Sequence, residues 1–444
     1  MLLLKLAWRS LWRNRRRTII TVVAISLALA LAIFFIAFGE GVYAKMIDDA
    51  VRMQAGHVTV EHPDYRAAPS VDLTVDASPE LRKRIERLPG VESTKALIVG
   101  QGVARAGQGV SGIVVLGVEP EVERRTSPLA RKLVAGNYLE GSDGARVVLG
   151  LELARRLGLG SRKKAEKLVG QWWPWLGTLG RDRQEWIDEL RPYLSIGRKL
   201  VIATNNARGE LVEELVRVQG VFATGAPEID GYIVQVPIGF ARRLYGLGEG
   251  KANQLGVVLR STDGLERVRR EVQEVVGSSA KVWTWKQVLP DLAAYIEVDG
   301  GSNMIFQGIF FVLVLFVIFN TILMSVLERR REWAVLMAIG TTPGRLKGQI
   351  ALESAILGLL GCLFGEAIGG WLAWWMERDG LDLRAFYPQG FNVSGIAIEP
   401  IVYADLTWQL MVVCGAIVFL STMLVSLYPM GQLRRLRLAD ILRG

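Results

Sequence analysis

The chain has almost no cysteine and almost no histidine: its 444 residues include two of each. Cys362 and Cys414 lie in separate apolar runs and none stands between residues 40 and 300, so a disulfide framework is excluded there. His57 and His62 have no third strong ligand near them, and no metal site is expected. A phosphate-cradling loop is missing too. Such a loop needs Gly, four residues, Gly-Lys and then Ser or Thr, so that backbone amides surround the phosphates. The nearest candidate ends in Gly250-Lys251, but Tyr245 stands at the first glycine position and Ala252 follows the lysine. No serine or cysteine is set against a histidine as a nucleophile requires. No catalytic residue is assigned, and the chain is not expected to be an enzyme by itself.

Apolar residues are abundant. Mean hydropathy is +0.27 although 22% of residues are charged. Both hold if apolar residues gather in a few segments and the rest folds in water. Four segments qualify. Thr18–Gly39, Gly301–Leu327 and Leu406–Leu433 are uncharged, and Ser354–Met376 is broken only by Glu366. Each is long enough to cross a hydrocarbon core of ~30 Å. Backbone groups in lipid must be satisfied within the segment, so these runs should be helices. The first is longer than the ~7–15 residues of a signal-peptide core. The Glu40-Gly41-Val42-Tyr43 that follows is a poor cleavage site, so retention is expected.

Short-loop charges set orientation. Fifteen lysines and arginines stand before the first run, between the second and third, and after the fourth; the 377–405 loop has only Arg378 and Arg384 against five acids. Both termini should then be cytoplasmic and residues 40–300 outside. The net charge of +9 belongs to the membrane surface, and no nucleic-acid partner is expected. In residues 1–17, Leu4, Trp8, Leu11 and Trp12 share a helical face opposite Lys5, Arg9, Arg13 and Arg16. That suits a helix in the headgroup plane or a cytoplasmic extension of the first span.

The fold class expected is a membrane protein with four transmembrane α-helices and a large α+β extracytoplasmic domain between helices 1 and 2. In that domain Ser78-Pro79-Glu80 is a helix start, with a capping serine, proline at the first position and an acid in the first turn. Leu265, Val268, Val272 and Val275 give helical spacing in a later segment. Strand-like runs flank both, so residues 55–104 and 246–284 read as one α+β module made from two strand–helix–strand copies. Residues 105–245 read as a β-rich subdomain, from short Val- and Ile-rich runs such as Ile113–Val118, Arg146–Leu149 and Leu215–Phe222. Inside it, the 162–194 insertion carries Trp172, Trp173, Trp175 and Trp186. Two readings stand: a partner-binding or membrane-touching element, or a helical hairpin with its own core.

Glu366, the one acid near mid-membrane, sits among Gly361, Gly365, Gly369 and Gly370, which permit close helix contact. It is either a buried structural acid or a transport residue.

From Phe319-Asn320-Thr321 through Glu328-Arg329-Arg330-Arg331-Glu332 to Ala338-Ile339-Gly340, the sequence resembles the FtsX/MacB/LolC-type permeases of ABC transporters. Pro343, Leu346 and Glu353-Ser354-Ala355 agree, as do Trp8-Arg9 with Arg13 and Arg15–Arg17, Gly56-His57-Val58, and Val134-Ala135-Gly136-Asn137-Tyr138. The tail, Tyr428-Pro429 to Leu442-Arg443, agrees except at Met430-Gly431.

The resemblance implies a cytoplasmic coupling region at 328–353. Glu332–Gly340 would be a short helix lodged in an ATPase. Val335, Leu336 and Ile339 would form its apolar side, with Glu328, Arg331, Ala338, Gly340 and Pro343 completing the stretch. Residues 40–54 and 285–300 would be stalk helices, and 434–444 a cytoplasmic tail. The implied partners are a separate ABC ATPase dimer, which binds ATP and Mg, and a second permease subunit, identical or different. A periplasmic adaptor, chaperone or lipoprotein completes them. The chain itself would bind no cofactor, and the location implied is the bacterial inner membrane. The leading function is extrusion of lipoproteins or other lipophilic cargo from the outer leaflet. The alternatives are transmission of motion to an efflux adaptor or cell-wall hydrolase, and a non-transport scaffold.

Overall fold

A computed structural model describes residues 2–13, 15–177, 180–262, 264–328, 332, 335, 337–383, 391–393, 396–398 and 401–432. The chain divides into two compact units. One comprises residues 1–45, 296–383 and 401–444, the other residues 46–295 and 384–400.

The first unit is helical. A helix over Leu2–Arg13 turns into a long helix over Arg15–Met53, and the elbow is held by Thr18 Oγ1 donating to the Leu11 carbonyl at 2.6 Å. Ala7 and Leu11 are buried on the inner face of the N-terminal helix, while Trp8 and Trp12 stay half-exposed in edge contact. Three further long helices follow, over Pro290–Glu328, Pro343–Asp379 and Trp408–Gln432. Proline opens the third of the four where its missing N–H is harmless. Among the described residues three helices are long and apolar enough to cross a membrane, at Thr18–Met53, Gly344–Asp379 and Trp408–Leu427. The sequence run 301–327 lies in the Pro290–Glu328 helix, several of whose side chains are outside the described residues. The 377–405 loop, read from sequence only for its charges, contains two short antiparallel pairings, Leu381–Asp382 with Ile401–Val402 and Phe391–Val393 with Ile396–Ile398.

The second unit is built on one ten-stranded sheet. Its first strands are β1 (Val58–Glu61), β3 (Val91–Ala106) and β4 (Gly109–Val118), and β2 (Val75–Asp76) forms a separate ribbon with β10 (Lys251–Ala252). The middle strands are β5 (Leu133–Gly136), β6 (Arg146–Gly150), β7 (Lys199–Asn205), β8 (Leu211–Phe222) and β9 (Ile233–Pro237). The last are β11 (Gln254–Leu259) and β12 (Lys281–Thr284). The order is β12-β1-β11-β3-β4-β9-β6-β8-β5, with β7 paired to β3 and β8.

Four strands, β12-β1-β11-β3, run antiparallel to one another with helices Pro79–Glu86 and Leu265–Val276 joining them in two strand–helix–strand segments. This is the split βαβ arrangement. Ile85, Val268 and Val272 are buried on the inner helix faces, worth about 1.5–3 kcal/mol each. β3 is long enough to serve both ends of the sheet. Its Val91–Leu97 half pairs with β11 and its Ile98–Ala106 half pairs with β4.

The 162–194 insertion is a helical hairpin, Arg162–Leu176 and Arg183–Leu190, closed by a 3-10 turn over Arg191–Leu194. Ala165, Val169, Leu176 and Ile187 make its core.

Candidate functional site

The stretch expected to couple to an ATPase is described in part. Residues 332, 335, 337 and 338 are helical, and Ile339 N and Gly340 N donate to the carbonyls of Val335 and Met337 at 3.1 and 3.0 Å. Gly340 then turns the chain with φ +98°, a backbone that other residues rarely adopt. Val335 and Ile339, four residues apart, share a face and are 48% and 77% exposed. Ala338 is exposed as well. Arg13 donates to the carboxylate of Glu332, so the N-terminal helix touches this stretch. Arg331 and Leu336 lie outside the described residues, as do the side chains of Glu328 and Pro343.

Behind it, the Pro343–Asp379 helix carries glycines at four-residue spacing that set it against the first long helix. Gly361, Gly365 and Gly369 meet Ile25, Leu29 and Ala30 in turn, and Ser26 Oγ donates to the Gly361 carbonyl at 3.1 Å. A Cβ at Gly369 would stand 2.8 Å from Ala30 Cα and 2.9 Å from its carbonyl oxygen, both backbone atoms. Gly369→Ala should therefore push the helices apart. Overpacking of this kind costs about 1–3 kcal/mol, read as a lower melting temperature of the detergent-purified chain. Gly344→Ala, with nothing within 4 Å, is the neutral control. Equal melting of the two variants would contradict this packing. Glu366 lies half-buried on the same helix, its carboxylate against Gly415 of the last long helix.

Further along the two long helices, Tyr43 Oη donates to Asp299 Oδ2 at 2.6 Å and accepts from Asn303 Nδ2 at 2.8 Å. Sequence reading missed this link, because each residue is unremarkable until the helices pair.

In the second unit a buried clasp holds the end of the first long helix, also missed. Lys95 Nζ, on β3, donates to the Arg52 carbonyl at 2.7 Å and to Glu123 Oε1 at 3.2 Å. Both side chains of the ion pair are 2% exposed. A cation on a helix's last carbonyls suits the negative end of its dipole. Arg52 itself bridges Asp48 at 2.6 Å and Glu92 at 3.0 Å. The signal in the sequence was a lone lysine ahead of the apolar run Ala96–Val99.

Beside the clasp His57 is buried. Its Nδ1 accepts from Leu259 N at 3.2 Å, and its carbonyl accepts from Trp285 N at 2.9 Å, so the segment before β1 and the one after β12 lie side by side. Burial pushes His57 from 6.5 down to about 4. The folded unit keeps it neutral while the unfolded chain takes up a proton below pH 6.5. Stability from this residue is complete above that pH and is lost as pH falls toward 4, by about 1–3 kcal/mol. Burial raises the carboxyls of Glu61 and Asp230, which act with the opposite sign. The measurement is therefore a difference. Urea midpoints should fall less between neutral pH and about pH 4.5 in His57→Asn, which retains an acceptor, than in the parent. Parallel curves would contradict it.

The four tryptophans of the hairpin separate. Trp173 and Trp186 pack on its core, and Trp172 and Trp175 are exposed. Among the described residues no cluster of three or more His, Cys, Asp or Glu could hold a metal.

The sequence matches known families and proteins. Residues 304–438 match the FtsX-like permease C-terminal model, and residues 18–172 the MacB-like periplasmic core domain. The ABC transporter permease YknZ of Bacillus subtilis is 22% identical over 99% of this chain and 98% of its own length. The lipoprotein-releasing system transmembrane protein LolC of Neisseria meningitidis is 21% identical over 81% of this chain and 78% of its own. The macrolide export ATP-binding/permease protein MacB of Burkholderia pseudomallei is 25% identical over 82% of this chain, which spans 50% of that relative. The extracellular domain of the ABC-type transporter YknZ from Gram-positive bacteria is 14% identical over 51% of this chain and 99% of its own, with a TM-score of 0.32. The chain is thus a membrane protein with a periplasmic domain, and its two matched regions and these relatives make it similar to the FtsX/MacB/LolC-type ABC transporter permeases.

Proposed function

We propose that the chain is the membrane subunit that turns ATP hydrolysis by a separate ATPase dimer into motion of its outer domain, and that it extrudes lipoproteins or other lipophilic cargo from the outer leaflet of the bacterial inner membrane. The supporting observation is the length of two helices. Arg15–Met53 and Pro290–Glu328 have 39 residues each. At about 1.5 Å per residue they run about 58 Å, nearly twice the ~30 Å of a hydrocarbon core. The excess serves as a stalk, outside a membrane crossed by four helices with both termini cytoplasmic.

The ATPase binds ATP and Mg, and the exposed apolar pair Val335 and Ile339 seats in its groove. A second permease subunit, identical or different, completes the pair of stalks. A relative named for lipoprotein release supports the cargo. Delivery to an efflux adaptor is the second reading, which the relative named for macrolide export favours.

Photo-crosslinkers on the outer domain, in complexes starved of ATP, decide between them. Capture of acylated proteins supports extrusion, and capture of an adaptor or a cell-wall hydrolase supports the second reading. Failure of any ATPase to co-purify would overturn both in favour of a scaffold.

A further inference from the structure

The Arg162–Leu176 helix uses one side for the hairpin's core, through Ala165, Val169 and Leu176, with Trp173 beside them. A neighbouring side carries Lys164, Leu168, Trp172 and Trp175, at spacings of four, four and three that keep them in line. Leu168 is 38% exposed, Trp172 59% and Trp175 62%. None of the three belongs to the hairpin's core. Lys163, Lys164 and Lys167 are exposed beside them. The helix's one acid, Glu166, is bound to Arg162 at 3.0 Å. The hairpin's other acids are Asp182, at the cap of the second helix, and Glu185, Asp188 and Glu189 on that helix, where Arg181 pairs with Glu185 and Glu189. The tryptophan-bearing helix therefore keeps a positive surcharge next to an apolar stripe.

We infer that this face docks on an anionic lipid surface, with the lysines over headgroup phosphates and Leu168, Trp172 and Trp175 at the acyl boundary. Tryptophan is the residue for that boundary because its ring is apolar and its N–H is polar. A site for a neutral apolar partner would not need three lysines along its edge. An acidic protein would match the lysines but would leave two adjacent indoles to a second contact. The inference holds whatever the cargo.

The test uses the full chain in nanodiscs of phosphatidylcholine, mixed with sedimentable vesicles of phosphatidylcholine with or without phosphatidylglycerol. The parent should sediment with the anionic vesicles only. Lys163→Gln/Lys164→Gln/Lys167→Gln should weaken this on the order of a hundredfold, at roughly fivefold per lysine. Trp172→Ser/Trp175→Ser should weaken it at least about tenfold. All five positions are exposed, and an unchanged melting temperature shows that the hairpin still folds. Lysine dependence without tryptophan dependence would be charge attraction alone and overturns the docking face. A parent that ignores both vesicles, yet is retained on an acidic polypeptide through the same residues, would assign the face to a protein and overturn the lipid reading.

Discussion

Ile339→Asp should lower the ATP hydrolysis of the assembled complex by at least about tenfold while leaving the amount of inserted permease unchanged. Ile339 is 77% exposed at the end of the stretch proposed for coupling, so a carboxylate there disturbs nothing inside the permease. In the proposed groove the same carboxylate loses water and gains no partner. A tenfold loss needs only about 1.4 kcal/mol, and burying an unpaired charge costs several times that. Ile339→Leu keeps an apolar contact and should behave as the parent. Val335, four residues back on the same face, should repeat the result as Val335→Asp. Stimulated hydrolysis at the parent's rate in both aspartate variants would remove this stretch from the coupling site.

Lys95→Met should be the most damaging single change in the outer unit. It leaves Glu123 2% exposed without its cation and removes the donor to the Arg52 carbonyl. Breaking a buried pair from one side costs about 3–5 kcal/mol. The double variant Lys95→Met/Glu123→Leu removes the stranded charge and should recover most of the stability, because apolar residues often replace a buried pair without loss. It should not recover function, since the end of the first long helix is still unclasped. Stability restored with transport still lost would mark the clasp as mechanical. Full transport by the double variant would make it structural only.

Local signals were legible and long-range ones were not. The helix at Pro79–Glu86 begins where the sequence places it, with Ser78 Oγ accepting from Leu81 N, because a cap is written within four residues. Leu265–Val276 likewise buries Val268 and Val272 from its own spacing. Helix Ile238–Tyr245 was missed, since its eight residues give barely two turns of pattern. The pairing of β1 with β11 joins residues nearly two hundred apart, and no local pattern sets that register.

The sites divide the same way. The stretch proposed for coupling was singled out by its resemblance to a family, and the glycines of the third long helix by their spacing. The Lys95 clasp and the Tyr43 link exist only once distant segments meet. For the tryptophan insertion, the structure shows the helical hairpin with its own core, and the partner-binding or membrane-touching reading keeps only the tryptophans outside that core. Trp173 and Trp186 belong to the core, and Trp172 and Trp175 to the surface, a division that needs the second helix in place.

ATP binding to the partner is expected to move the outer ends of the proposed stalks. Gln54, exposed one residue past the first long helix, is the place to read it. The measurement is the distance between spin labels on Gln54→Cys in the two permease subunits of a reconstituted complex, with and without trapped ATP. A shift of several ångströms between the two states is expected. One unchanged distance distribution, in a complex that still hydrolyses ATP, would contradict it.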